Sequence, residues 1–569
     1  MARVWFTSCL LLPVLLLVRA AIVHGQTTAP PNIIFILADD LGWNDLSFHG
    51  SDQIPTPNID ALAYNGIILN SHYVLPVCTP SRAALMTGKY PIRTGMQGAP
   101  LLPGEPRGLP EGKILPQYLK ELGYVTRAVG KWHLGFHMKE LTPTFRGFGS
   151  HLGYWSGHVG YYDFVEQFFG VGGGYDMRED MTTSWEYSGR YVTDVFTEEA
   201  ERLIAEHDTG RPLFLYLAHL GCHAGIDAKW LDAPQEVINR FGYISDPNRR
   251  ILAGVLWKMD ESEGRVVAAL EERGMLNNSI IVFASDNGAP TTGNEPNWSS
   301  NYPLRGLKQT LWEGGVRGAT MVWSPLFSSA PRVSNQMMHI VDWLPTLYSA
   351  AGANASSLPT DLDGVDMWDA LVSGGESPRT EILLNRNDDD GYAAVRVGDW
   401  KLVKGKQYNT ADTGYHGASG TEDGSSTPAY NTEQLAGSLA GLAVSRLSGA
   451  AAPSDVMLRL RAEATVSCPD RPQTPGCVPV SENDTCVFNV ARDPCEQGAS
   501  SDSPEVLTML LERLDALSDP MLPVQDLYIE PELAMPSRWN NTWVPWTDCV
   551  EDPSYIACNV DTPASGDAQ

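Results

Sequence analysis

The sequence predicts an α/β protein: a mixed, mostly parallel central sheet with helices on both faces, then a smaller α+β domain with an antiparallel sheet. Three observations carry this expectation. Apolar runs of strand length recur at Pro31–Ala38, Gly123–Gly130, Arg211–Ala218 and Ser279–Ser285, too continuous to leave one face in water. Between them lie stretches with helical spacing, Thr193–Ala205 and Ile251–Arg273, the second with Leu256, Met259, Val266, Val267 and Leu270 on one stripe. Beyond residue 380 the pattern changes to short alternating runs, then loop-rich sequence with closely spaced cysteines.

The 569 residues contain 40 Lys+Arg against 68 Asp+Glu, a formal charge of −28, which argues against nucleic acid as a partner. Residues 1–25 read as a secretory signal: Arg3, an apolar run Cys9–Val18 too short to span a bilayer, and Val23-His24-Gly25 before cleavage. The mature chain is expected to carry no membrane span and to follow the secretory pathway to the lysosome or the extracellular space. Six of the nine cysteines come late, at 468, 477, 486, 495, 549 and 558, as befits an oxidising compartment. Pairing each with its neighbour is the simplest arrangement among fifteen possible ones. Cys78 and Cys222 stand apart from them. Five N-x-S/T sequons, at Asn277, Asn297, Asn354, Asn483 and Asn540, suit luminal passage.

The first strand ends at Asp39-Asp40, hard oxygen ligands where α/β sheets place their sites; an isolated Asp pair is more often a solvated turn. Cys78-Thr79-Pro80-Ser81-Arg82 reads as the start of a helix, with Thr79 as N-cap, Pro80 in the first turn and Gly88 as terminator. The second strand runs into Lys131-Trp132-His133, where extended geometry sets Lys131 and His133 on one face. Residues 151–190 read as long irregular loops rich in Gly, Tyr, Trp and His. The third strand leads to His219 and His223, either of which suits a structural role. The fourth ends in Asp286-Asn287-Gly288, again oxygen ligands at a strand end. Ala319–Trp323 is strand-like. Tyr392–Val403 suggests antiparallel strands, residues 405–455 a flexible insertion, and Pro504–Leu517 a helix capped by Ser503. The expected domains are 26–385 and 386–569.

Together these segments resemble the type I sulfatases of the alkaline-phosphatase-like superfamily, most similarly the arylsulfatase B branch. Cys78-Thr79-Pro80-Ser81-Arg82 with Thr87-Gly88 matches the signature that directs oxidation of its Cys to formylglycine, and Gly130-Lys131-Trp132-His133-Leu134-Gly135 matches the second signature. Pro303-Leu304-Arg305-Gly306 with Lys308, and Trp312–Gly318, also look like that branch. The resemblance runs from Asn32 to Lys404, resumes around Cys486–Cys495 and leaves out 405–455.

It implies an alkaline-phosphatase-like fold and one Ca²⁺ held by Asp39, Asp40, Asp286, Asn287 and the modified Cys78. It implies that Arg82, Lys131 and Lys308 bind the sulfate and the aldehyde hydrate, and that His133 and His223 handle protons. His223 is chosen over His219 by this similarity, although Ala224-Gly225 replace the Pro that usually follows. The implied activity is hydrolysis of sulfate esters of sugars, such as N-acetylgalactosamine 4-sulfate of glycosaminoglycans, or of aryl alcohols. The formylglycine-generating enzyme is the implied partner during maturation. A phosphomonoesterase or phosphodiesterase of the same superfamily, and a silent sulfated-glycan-binding protein, are the alternatives.

Overall fold

The computed structural model describes residues 29–558, apart from 169–171, 227–228, 294, 408–412, 421–426, 469–474, 500–503 and 526–527. The expected signal segment 1–25 and the Ser503 cap lie outside the described residues.

Ten strands form the main sheet. In chain order they are β1 Asn32–Ala38, β2 Ile67–Leu69, β3 Val125–Lys131, β4 Ser150–Tyr154, β5 Arg178–Glu179, β6 Thr182–Thr183, β7 Leu213–Ala218, β8 Ser279–Ser285, β9 Thr320–Trp323 and β10 Arg332–Ser334. Across the sheet the order is β10-β2-β9-β8-β1-β7-β3-β4-β5-β6. The central five, β8-β1-β7-β3-β4, are all parallel, so their C-terminal ends line up along one edge. β9 joins antiparallel to β8, which makes the sheet mixed as expected.

Alternation along β1 shows why the strands are apolar throughout. Ile34, Ile36 and Ala38 enter one core with helices Val192–Ala205 and Pro247–Glu272. Ile33, Phe35 and Leu37 enter the opposite core with helix Cys78–Thr87. Burial of each large side chain contributes roughly 1.5–3 kcal/mol, so neither face tolerates a polar residue mid-strand. The long helix starts where Asp246 caps the backbone N–H groups of Asn248 and Arg249.

A second, antiparallel sheet comprises β11 Glu381–Asn387, β12 Tyr392–Val397, β13 Trp400–Lys404 and β14 Thr485–Asn489, in that order. It begins ahead of the boundary expected at residue 386. One face packs on helix Pro504–Ser518, the other on Trp312.

Four expectations are corrected. Where described, the 405–455 stretch is ordered: helices Thr432–Ala436 and Leu439–Ser448, followed by Ser454–Ala464, bury Ala440, Ala443, Val444, Met457 and Leu460 in the core that faces the long helix. Its polar composition hid these small-residue contacts. Residues 151–190 contain short strands, including the hairpin Val165–Phe168/Gly172–Tyr175. The disulfides are Cys468–Cys495, Cys477–Cys486 and Cys549–Cys558, so the first two nest instead of joining neighbours. Finally, Asn297 is wholly buried, with Nδ2 donating to the carbonyls of Asp40 and Cys222, which leaves no room for a glycan. The other four sequon asparagines are exposed.

Candidate active site

The C-terminal ends of β1, β8, β3 and β7 meet the N-terminus of helix Cys78–Thr87. At the end of β1 the chain turns sharply. Asp40 takes φ 60°, a left-handed conformation that Asp tolerates better than most residues. The turn is pinned by Asp39 N–H donating to Gly221 O (3.0 Å) and Asn297 Nδ2 donating to Asp40 O (2.9 Å). This twist lets both adjacent carboxylates face one point. Asp39, Asp40 and Asp286 place carboxylate oxygens within 4.8 Å of one another, all buried.

Three cations neutralise them. Arg82 donates from Nε (3.1 Å) and Nη2 (2.8 Å) to Asp286 Oδ2. Lys131 Nζ lies 2.5 Å from Asp39 Oδ2, and Lys308 Nζ 2.8 Å from Asp40 Oδ2. Burial works against the charge on Lys308, but Asp40 and, to a lesser extent, Cys78, Asp39 and Glu295 together outweigh it and pull its pKa up. Burial pushes Asp286 up to about 6, Asp39 adds to this and Arg82 opposes it.

The donor set fits a hard divalent cation. Asp39 Oδ1 and Asn287 Oδ1 are buried without a hydrogen-bond donor, an arrangement that costs free energy unless a cation takes the lone pairs. Cys78 is buried beside this cluster, and the unmodified thiol is not one of its three members. Burial raises the thiol pKa, partly offset by Lys131 and Lys308, so Cys78 is not primed as a thiolate.

The two histidines have defined tautomers. His133 Nε2 is 2.8 Å from the Leu101 carbonyl, which can only accept, so Nε2 carries the proton and Nδ1 is left as a lone pair. Burial, with Lys131 close by, holds His133 well below the usual imidazole range. His223 Nδ1 is 2.6 Å from Ala224 O, which leaves Nε2 to accept from Lys308 Nζ at 3.3 Å. His219 instead pairs with Ser262 Oγ away from the cavity, as a structural group.

A model of the family described as Sulfatase matches residues 31–353. Mouse arylsulfatase J is 42% identical over 387 residues, which cover 68% of this chain and 62% of that protein. The dog N-acetylgalactosamine-6-sulfatase is 34% identical over 415 residues, covering 68% of this chain and 74% of that one. The chain belongs to the sulfatase family. The solved structure of Ps i-CgsB superposes with a TM-score of 0.66 at 26% identity, covering 88% of this sulfatase and 96% of that chain.

In this sulfatase the metal and catalytic residues implied by the family resemblance converge on one site, whereas His219 does not, and two local readings fail. The helix begins at Cys78 with Val77 as N-cap, not at a Thr79 cap. The Thr79 hydroxyl is taken by tertiary contacts: it donates to His133 O (3.2 Å) and accepts from Leu101 N (3.1 Å). His133 does not extend β3 but turns back at φ 58°. Gly130, at φ 98°, shows why the strand end needs a glycine: a Cβ there would overlap the Ala218 carbonyl oxygen.

The site opens into a cavity of about 650 Å³ lined by Cys78, His133, His223 and Lys308. Sequence reasoning missed His158, Glu166 and Glu295 on its walls. His158 stacks on His223 with centroids 5.0 Å apart, and its Nδ1 lies 3.3 Å from Glu166 Oε2. His158 and Glu166 come from the 151–190 region and Glu295 from the loop after β8, where sequence spacing alone carries no facing information. Arg305 and Trp312 form a supporting layer: Arg305 stacks 3.5 Å over Trp312 and donates to the carbonyls of Thr413, Glu496 and Cys477.

Proposed function

We propose that this protein hydrolyses sulfate monoesters, using a formylglycine made from Cys78 and one Ca²⁺. The observation that carries the reading is the single buried site in which three carboxylates, three cations and two histidines surround the helix N-terminus at Cys78. Asp39, Asp40, Asp286 and Asn287, with an oxygen of the modified Cys78, would hold the ion, which supplies Lewis-acid stabilisation of sulfate oxygens.

The chain's own groups do the rest. Arg82, Lys131 and Lys308 neutralise the sulfate and orient the hydrate. One hydroxyl of the hydrate releases its proton to solvent, its oxygen attacks sulfur, and the bond from sulfur to the sugar or aryl oxygen breaks. The departing oxygen takes a proton from Lys308, with His223 Nε2 hydrogen-bonded behind it. His133, through its free Nδ1, takes the proton of the second hydroxyl. The carbon–oxygen bond to sulfate then breaks, the aldehyde reforms and inorganic sulfate leaves. A plain thiol or hydroxyl would lack the second hydroxyl that drives this release.

The substrate we favour is a sulfated sugar, the N-acetylgalactosamine 4-sulfate unit of glycosaminoglycans. The likeness to arylsulfatase J and N-acetylgalactosamine-6-sulfatase supports the class, not the position. The three disulfides suit oxidation of Cys78 by the formylglycine-generating enzyme in the secretory pathway, with lysosomal or extracellular residence to follow. Among the described residues the acidic cluster is a single one, which favours this reading over a two-metal phosphatase.

The test is sulfate release. Wild-type protein made in a eukaryotic host should hydrolyse an aryl sulfate, and Cys78→Ala should lose at least about a thousandfold in kcat/KM with an unchanged melting temperature. Comparable activity in the variant would refute the assigned nucleophile.

A further inference from the structure

The cavity beyond the sulfate-binding end has an unusual charge pattern for a protein that handles anions. Of the three anion-binding cations, Lys308, paired with Asp40, is the one that lines this cavity. The lining also includes apolar Leu101, Leu102, Pro103, Ile226 and Trp230. It holds two acids as well, Glu166, whose burial pushes its carboxyl well above the usual range, and Glu295. Lys308 is the one Lys or Arg among the described lining residues. Its sequence neighbours outside the description, 169–171, 227–228 and 294, include neither. Lys229, next to Trp230, is turned to solvent and pairs with Asp232 at 3.5 Å.

The two acids differ in role. Glu166 is buried and committed to His158, accepting from its backbone N–H at 3.2 Å with its Nδ1 at 3.3 Å. Glu295 is half-buried with no hydrogen bond or ion pair to another described lining residue; it is close enough to Lys308 to support that group's charge. A carboxylate in a low-dielectric cleft repels any second anion carried by the ligand, whereas apolar walls suit the C–H face of a sugar or an aryl ring.

We infer that the cavity selects singly sulfated, otherwise uncharged units and that Glu295 is the residue that rejects a second anionic group on the same sugar. This rests on the sulfatase reading above. It narrows the substrate class: a sugar with one sulfate and a neutral N-acetyl or hydroxyl pattern fits, and a disulfated sugar is discriminated against. A further consequence is placement in degradation: a disulfated unit must lose its other sulfate to a different sulfatase before this one acts.

The experiment compares kcat/KM for a monosulfated N-acetylhexosamine and for the same sugar with a second sulfate, in wild type, Glu295→Gln and Glu295→Lys. An aryl sulfate serves as the chemistry control in wild type. Wild type should favour the monosulfated sugar at least about tenfold, the magnitude of one like-charge contact in a partly buried site. Glu295→Gln should narrow the ratio and Glu295→Lys narrow it further, chiefly through KM of the disulfated sugar. Equal turnover of the two sugars by wild type, or a ratio unmoved in both variants, would overturn the inference while aryl sulfate hydrolysis left the sulfatase reading standing. Failure on the aryl sulfate itself would overturn both.

Discussion

Asp40 carries the local logic of the site. Its left-handed backbone turns an ordinary Asp-Asp dipeptide into a converging pair, and Asn297, buried behind it, fixes the turn through the Asp40 carbonyl. The sequence displays both residues but not their relation, because the hydrogen bond joins positions far apart in the chain. The same holds for Thr79, whose hydroxyl looks like a cap and instead ties His133 O to Leu101 N. Arg82 is the residue with most at stake. It is fully buried and binds Asp286 twice. Its removal strands a buried carboxylate, so Arg82→Ala should cost about 3 kcal/mol of stability as well as activity. Chemical denaturation of the variant with calcium present measures this; an unchanged midpoint would show that Arg82 acts on substrate alone.

At the scale of elements, buried acids tie the helix Pro57–Ala63 to its neighbours and, through Tyr430 and Asn58, to the segment 430–464. Asp260 accepts from Asn58 N and Ile59 N at 2.9 Å, capping the helix Pro57–Ala63. Asp60 accepts from Ser47 Oγ (2.7 Å) and Thr56 Oγ1 (2.9 Å), and its other contact is Tyr430 Oη at 2.5 Å. Glu263 is buried with neither carboxylate oxygen hydrogen-bonded. Burial raises Asp260 to about 7 and Asp60 to about 6, the latter opposed by Tyr430, and pushes Glu263 well above the usual range with Asp260 adding to it. The folded chain therefore holds protons that the unfolded chain, with carboxyls near ~4, releases. Stability is full below about pH 4 for these groups and is lost as pH rises through about 6 and 7. The melting temperature should fall by a few degrees between mildly acidic and neutral buffer, and Glu263→Gln should flatten the slope. A flat or rising profile in wild type would contradict it.

Across the whole molecule, the strands were the most legible part, because a parallel sheet buried on both faces needs uninterrupted apolar runs: Ile33 and Ile34 serve opposite cores. The site was legible as strand ends and as two family signatures. The small-residue face of Leu439–Ser448 was not, since Ala440 and Ala443 pack closely without an apolar pattern to announce them. Disulfide nesting was equally hidden, since the pairing of Cys468 with Cys495 around Cys477–Cys486 is set by three-dimensional proximity that cysteine spacing does not reveal. The two domains are joined by charge as well as by apolar contact: Lys401 of the antiparallel sheet meets Glu313 at 2.8 Å and Glu496 at 2.9 Å, all buried. That triad steadies the Trp312–Gly318 turn, whose Gly315 carbonyl accepts from Gly288 N at 2.9 Å, next in the chain to Asp286-Asn287. All of this scaffolding converges on the side chain at position 78. The decisive measurement is mass spectrometry of the tryptic peptide ending at Arg82, from protein purified out of a eukaryotic secretory host. The account predicts an aldehyde in place of the Cys78 thiol; an unmodified thiol in active protein would contradict it.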